Sequence, residues 1–311
     1  MVHLHKNMKM SELVESNYHL LGIMSRLGIT GSFSEHTVEE ICARYSLDAD
    51  TFVLICTVYS TKGYKPTEEE LRRCSVADIL RYLHSSHDFY LNSALKRLSP
   101  ALEQMTEPTS QVQQKVIRHF FDSYKTELVK HFAYEEDTVI PYVKRLLAGH
   151  APSDFSMAVF KENHSNIEES LSDLKNLIMK SLPPECDGEG RLDVLSNIFH
   201  LQEDLEHHTY IEDNILVPMV EMLEGREPSP SFVTPVPGES DGDVLSDREK
   251  EVLAEVARGY LNKEIADRLN ISINTVITHR KNITRKTGIK TTPGLTVYAL
   301  LNGLVDINSF E

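Results

Sequence analysis

The stretch His131-Phe-Ala-Tyr-Glu135-Glu-Asp-Thr-Val-Ile-Pro141-Tyr-Val recurs further along the chain as His208-Thr-Tyr-Ile-Glu212-Asp-Asn-Ile-Leu-Val-Pro218-Met-Val. In each copy a histidine precedes a glutamate by four residues, a spacing that puts imidazole and carboxylate one turn apart on one helix face. That face is otherwise apolar. It runs Ile117, Phe121, Tyr124, Leu128, His131, Glu135, Val139, Tyr142 in the first copy and Leu201, Leu205, His208, Glu212, Ile215, Met219 in the second. Polar groups on a core stripe are costly unless partnered, so two such pairs facing inward call for a shared partner. A single HxxxE is ordinary on a solvated helix; its repetition on an apolar stripe, with the same following proline, points to metal.

Two neighbouring segments carry the same anomaly. One helical face runs Leu80, His84, His87, Leu91, Ala94, Leu98, and another Phe160, His164, Ile167, Leu171, Leu174. Long helical patterns at about 76–99, 109–147, 153–181 and 189–223, with polar turns between them, predict a four-helix bundle. Residues 1–72 read as a smaller helical unit, with MSELVESNYHLLGIMSRLGI and TVEEICARYSLDADTFVLICTVYS as short helices about a glycine-containing turn. No alternating strand pattern occurs, so the chain reads as all-α.

Two glutamates and at least four histidines would converge, and sulfur takes no part. Cys42, Cys56, Cys74 and Cys186 lie far apart without a CxxC and read as buried thiols. Imidazole with bridging carboxylate suits a pair of iron ions; zinc would be content with fewer ligands, and calcium or magnesium would want mostly oxygen. Open positions on such metals would admit oxygen, peroxide or nitric oxide.

On His131–Glu135 with Glu136, Glu-Asn-His at 162–164, and His208–Glu212 with Asp-Asn-Ile-Leu-Val-Pro, residues 73–223 resemble the hemerythrin-like domain. Together with the N-terminal unit they are similar to the di-iron proteins of iron–sulfur cluster repair. The resemblance implies two non-haem iron ions with oxo and carboxylate bridges, His131, His164 and His208 as terminal ligands, and Glu135 and Glu212 as bridges. For the first helix it leaves His87 and His84 as competing ligands. His207 and His119 fall off the stripe and read as surface or outer residues. The repair proteins carry paired cysteines in the loop of the small domain, where this chain has Leu27-Gly-Ile-Thr-Gly-Ser-Phe-Ser. Thiol-dependent chemistry is therefore not expected, and the small unit reads as a packing or dimerisation element.

Residues 224–243, with four prolines and no helical period, read as a linker. Beyond it Ser246 and Glu249 form a capping box, Leu245, Val252, Leu253 and Val256 an apolar stripe, and Gly259 a helix end. Asn262 is expected to cap a helix over 263–269, and a turn at 270–272 leads to a helix over 273–287 that stops at Gly288. This is helix-turn-helix spacing. Leu245, Ser246, Arg248, Glu249, Glu251-Val-Leu, Gly259, Asn262-Lys-Glu-Ile-Ala266, Leu269, Ile271-Ser, Thr275-Val276, His279, Asn282-Ile283 and Lys286 resemble the LuxR/NarL-type C-terminal domain. The resemblance implies a four-helix module over 244–311 that binds double-stranded DNA as a homodimer. It places Ile277, Thr278 and Lys281 at base edges and Lys263, Thr275, His279 and Arg280 nearer phosphates. Ile277 stands where a basic or polar residue is common and suits a thymine methyl. The apolar tail from Pro293 to Leu304 either makes the dimer contact or packs on the other three helices.

Charge is divided accordingly. The net charge is −15, yet from Leu245 onward ten Lys/Arg face eight Asp/Glu, against 22 facing 39 in the 244 residues before it. A mildly basic module behind an acidic body suits one part that meets phosphate and another that does not. No apolar run approaches the roughly 18 residues of a spanning helix, and the N-terminus lacks the apolar core of a signal peptide, so no membrane association and a cytoplasmic location are expected. The expected function is a non-enzymatic, one-component transcriptional regulator sensing oxygen, nitric oxide or redox stress through a di-iron centre. The alternative is a cluster-repair or iron-donor protein with an attached DNA-binding domain.

Overall fold

The computed structural model describes residues 3–33, 35–150, 155–163, 167–186, 188–225 and 244–306. His164 and all of the expected linker but Glu224 and Gly225 lie outside the described residues. Helices account for the fold, and among the described residues the one β-type pairing is an isolated bridge between Lys9 and Thr37. None of the described helices is long and apolar enough to cross a membrane.

The first helices are α1 (Met10–Ser16), α2 (Leu20–Arg26), α3 (Val38–Arg44), α4 (Ala49–Ser60) and α5 (Glu68–Arg73). Where the periodicity suggested two helices before residue 61, there are four. Asn17 leaves the helical region, its Oδ1 accepting from the His19 N–H while its Nδ2 donates to the Tyr59 carbonyl. Ser46 adopts φ 52°, and Asp48 then caps α4 by accepting from the Thr51 N–H at 2.7 Å.

The long helices follow as α6 (Val76–Phe89), α7 (Leu95–Thr106), α8 (Gln111–Tyr134), α9 (Ile140–Leu147), α10 (Met157–Asn163), α11 (Glu168–Lys180), α12 (Gly188–Ile211) and α13 (Val217–Leu223). Short π-helical turns join α6 to α7 (Tyr90–Ala94), α8 to α9 (Glu135–Val139) and α12 to α13 (Glu212–Leu216). The last two begin on the repeated glutamates. The Ile140 N–H donates to the Glu135 carbonyl and the Val217 N–H to the Glu212 carbonyl, each five residues back. Pro141 and Pro218 come next. Proline has no N–H, and its ring would collide with the carbonyl four residues earlier in a regular α-helix; one extra residue in the turn relieves that collision.

An inserted residue also rotates the face beyond it by about 100°. A single unbroken stripe therefore does not persist along α6 and α7. Ile79, Leu80, Leu83 and His87 are buried before the π turn, and Leu95, Leu98 and Leu102 after it. Leu91 and Ala94 are only half-buried, and His84 is exposed.

Two compact units divide the chain, one drawing on 1–93, 132–165 and 204–234, the other on 94–131, 166–203 and 235–311. In the first, Leu13, Ile23, Phe52, Ile55, Leu83, Val143, Ile215 and Val217 belong to one apolar cluster, so the N-terminal helices share a core with α6, α9 and α13. In the second, α7, α8, α11 and α12 bury Leu98, Ile117, Phe121, Leu128, Leu174, Leu177 and Ile198.

The second unit also holds α14 (Asp247–Ala257), α15 (Asn262–Leu269), α16 (Ile273–Thr287) and α17 (Thr292–Leu301). The Ser246–Glu249 capping box opens α14. Asn270, at φ 52°, ends α15; Ser272 caps α16, and Gly288, at φ 74°, ends it. The expected cap at Asn262 is displaced: Asn262 is the first residue of α15, Glu264 accepts from the Leu261 N–H, and the Asn262 Oδ1 accepts from Arg280 at 3.1 Å. Helix α17 packs against α14 and α11.

Candidate metal centre and nucleic-acid interface

Four buried side chains converge in the first unit. His87 on α6, Glu135 at the end of α8, His208 on α12 and Glu212 after it each offer a ligand atom, all within 4.8 Å of one another. His87 Nε2 lies 3.1 Å from a Glu135 oxygen and 3.2 Å from His208 Nε2, and His208 Nε2 lies 3.1 Å from a Glu212 oxygen. Both HxxxE copies thus deliver their glutamate to one point, and α6 adds the third helix. His131, buried one turn before Glu135, is not one of these four.

Packing places the two candidates on α6 differently. His84 is solvent-exposed and its Nδ1 meets Glu136 at 2.9 Å, whereas His87 is buried and reaches Glu135 and His208. Glu136 also meets His87 Nδ1 at 2.7 Å. Its hydrogen bond with His87, and then the one with His84, hold the Glu136 carboxyl down at about 2 against the effect of burial. An ionised carboxylate only accepts, so Nδ1 of His87 carries a proton and Nε2 is turned to the cluster. Burial pushes the His87 imidazolium down, but hydrogen bonds with Glu135 and Glu136 outweigh it and raise the group to about 9. The residue pattern offered Glu136 as part of a motif but not as the partner that orients His87.

Aromatic rings enclose the site. Phe132 stacks on His87 with centroids 4.3 Å apart, and Tyr90 meets His208 edge-on at 5.4 Å. Tyr90 donates from its hydroxyl to the Asp204 carbonyl, one turn before His208. The Asp204 carboxylate pairs with the buried Arg26 of α2 and accepts from Tyr59 of α4 at 2.8 Å. Arg26 in turn donates to Tyr82 at 3.1 Å and lies over the Phe89 ring at 4.4 Å. The small N-terminal helices are thereby tied to the two helices that carry His87 and His208. Of the two histidines read as off the stripe, His119 is exposed and His207 stacks on Tyr59 at 4.2 Å.

Two imidazoles and two carboxylates, buried and converging, form a donor set for a first-row transition metal rather than for calcium or magnesium. Imidazole nitrogens favour a borderline cation, and burial of two carboxylates favours one that carries their balancing charge.

In the second unit, Lys263, Ile277, Thr278 and Lys281 are exposed, while Thr275, His279 and Arg280 are half-buried. Arg280, Lys281 and Lys290 line a cleft with Asn262, Ile277, Thr284 and Leu295, which spans α15, α16 and the start of α17. Three cations around a groove beside an exposed helix are suited to a polyanion.

Residues 78–220 match the model of the hemerythrin HHE cation binding domain, and residues 243–299 that of bacterial regulatory proteins of the luxR family. The chain joins a hemerythrin HHE domain to a luxR-family domain. It is similar to the transcriptional regulatory protein MctR of Rhizobium johnstonii, 48% identical over 67 residues, or 22% of this chain and 31% of that protein. It is also similar to the oxygen regulatory protein NreC of Staphylococcus aureus, 46% identical over 63 residues, or 20% of this chain and 29% of that protein. The chain thus spans less than a third of the length of these curated relatives. No solved structure matches it. The four converging residues and Glu136 fall inside the HHE match, and the cleft residues inside the luxR-family match.

Proposed function

We propose that this chain is a transcriptional regulator that binds double-stranded DNA as a homodimer, and that the metal state of its HHE domain sets the DNA affinity of its luxR-family domain. The observation that carries this reading is a buried His–Glu cluster in the same chain as an exposed helix-turn-helix. The resident group is a pair of non-haem iron ions, with oxygen, nitric oxide or peroxide as the signal; the protein is not an enzyme. NreC is an oxygen regulatory protein, but the stretch shared with it has only the length of a luxR-family module. Assignment of the signal therefore rests on the HHE domain.

His87 and His208 present Nε2, and Glu135 and Glu212 their carboxylates. His131 and His164 are assigned to the remaining positions of a two-ion site. Iron held there would supply a one-electron redox change and positions open to a diatomic ligand. Glu136 fixes the orientation of the His87 ring, and Phe132 and Tyr90 restrict water around it. In the luxR-family domain Ile277, Thr278 and Lys281 face base edges, while Lys263, Thr275, His279 and Arg280 meet phosphates.

A regulator of this kind requires different DNA affinities in its metal states. Elemental analysis is expected to find about two irons per chain, in keeping with imidazole and bridging carboxylate ligation. DNA affinity, measured at one salt concentration for reduced, oxidised, nitric-oxide-treated and metal-free protein, is expected to differ between states. Zinc alone, or equal affinities throughout, would refute the sensing role.

A further inference from the structure

Within the second unit, α11 has a buried apolar face and a polar one on which Asp173 is buried and Lys180 exposed. Leu171, Leu174, Leu177 and Ile178 are buried on the first. The other carries Glu169, Asp173, Asn176 and Lys180, spaced to form a single stripe. This polar stripe meets the junction between α16 and α17. The Asp173 carboxylate, fully buried, accepts from the Lys290 N–H at 2.8 Å, the Thr291 N–H at 2.7 Å and the Thr291 hydroxyl at 2.7 Å. Asn176 Nδ2 donates to the Gly288 carbonyl at 2.9 Å, and Lys180 Nζ to the Thr287 carbonyl at 3.0 Å.

These contacts match the polarity of both helix ends. The last carbonyls of α16 are the negative end of its dipole and receive an amide and an ammonium group. The Lys290 and Thr291 N–H groups, just ahead of the positive end of the α17 dipole, receive a carboxylate, while Thr291 itself caps α17 by accepting from the Gly294 N–H. The approach is close enough to require glycine: a Cβ on Gly294 would fall 2.5 Å from Asp173 Oδ2, and one on Gly288 would fall 3.2 Å from the Asn176 side chain. This is a built docking surface, not an incidental touch.

It also reaches the basic cleft. Lys290 lines that cleft and contributes its N–H to Asp173, while its Nζ lies 3.9 Å from Glu169. With the module docked, a duplex entering the cleft would bring its phosphates toward Glu169. The docking contacts are polar and mostly to backbone atoms, which water satisfies when the surfaces part.

We propose that α11 is a latch for the luxR-family domain, held by Asp173, Asn176 and Lys180 on the α16–α17 junction, and that it opens when the module takes up duplex DNA. This rests on the reading that the module binds DNA. A closed latch reduces apparent affinity by the fraction of molecules in the open form.

The test uses the full-length chain and a fluorescent duplex of random sequence at a single low salt concentration. Asp173→Ala and the double variant Asp173→Ala/Asn176→Ala are expected to bind about five- to tenfold more tightly than the parent. Asp173→Asn, which keeps one acceptor oxygen, is expected to fall between. Unchanged far-UV circular dichroism confirms that the variants fold. In the parent, duplex DNA is expected to speed amide exchange in the segment containing Lys290 and Thr291, whose N–H groups the latch holds. Equal or weaker binding by the variants, or exchange there that DNA leaves unchanged or slows, overturns the latch. Absence of binding by every form, parent included, overturns the DNA-binding reading itself.

Discussion

Replacement of Arg26 by alanine is expected to be among the most damaging single changes in the first unit. Its side chain is 6% exposed and that of its partner Asp204 17%, so the pair is largely removed from water. The guanidinium donates to Asp204, to Tyr82 at 3.1 Å and to Ser86 at 3.4 Å, and covers the Phe89 ring. Truncation leaves Asp204 with the Tyr59 hydroxyl, at 2.8 Å, as its remaining side-chain donor. Loss of one partner from a buried ion pair costs about 3–5 kcal/mol, and the surviving Tyr59 donor places Arg26→Ala near the lower end, about 3 kcal/mol. That is roughly a hundredfold in the unfolding equilibrium. Arg26→Lys keeps the charge but loses the planar fork, with an expected loss of about 1–2 kcal/mol. Urea unfolding of the single variants and of Arg26→Ala/Asp204→Ala provides the assay. The double variant should be less destabilised than the sum of the singles by about 1–3 kcal/mol, since it removes the stranded charge. A loss below about 1 kcal/mol for Arg26→Ala, or additive single effects, would refute the reasoning.

Other consequences concern the metal centre and the latch. Glu136→Gln removes the carboxylate that orients His87 through a 2.7 Å contact, and is expected to weaken metal binding about 10–100-fold in a competition titration; unchanged affinity would remove Glu136 from the site. In metal-free protein His87 is raised from 6.5 to about 9, so its contribution is complete below pH 6.5 and disappears as pH rises through about 9. The stabilisation lost is at most about 3 kcal/mol, and a urea midpoint that stays flat or rises between pH 6.5 and 9.5 would contradict it. Gly294→Ala drives a methyl to within 2.8 Å of Ile289 Cγ2 and 2.5 Å of Asp173 Oδ2, with an expected loss of about 1–3 kcal/mol. Thermal unfolding with an unchanged midpoint would show that the close packing there is relaxed at no cost.

Much of the molecule was readable in one dimension because the decisive signals are local or periodic. An HxxxE repeat is a statement about a single turn of helix, and two copies on apolar stripes already imply convergence. Ser246 with Glu249 and the Gly288 stop sit within a few residues of the helices they bound, as the structure bears out. Periodicity misled where the helix departed from α geometry. The stripe through His84, Leu91 and Ala94 presumes a constant turn, and the π turn at Tyr90–Ala94 breaks it. In the repeats, the prolines were visible but not the wider turns that precede them.

By itself the sequence determined the all-α class, the bundle and helix-turn-helix segments, and the residue types at the candidate metal centre and nucleic-acid interface, since each depends on spacing along one helix or on charge along one segment. Tertiary structure alone decided that His87 rather than His84 enters the cluster, that Glu136 orients it, that Arg26 spans to Asp204, and that Asp173 accepts from the Thr291 N–H. Those pairings join residues 49 to 178 positions apart. No periodicity within a helix encodes such contacts; they follow from which faces the shared cores leave in register.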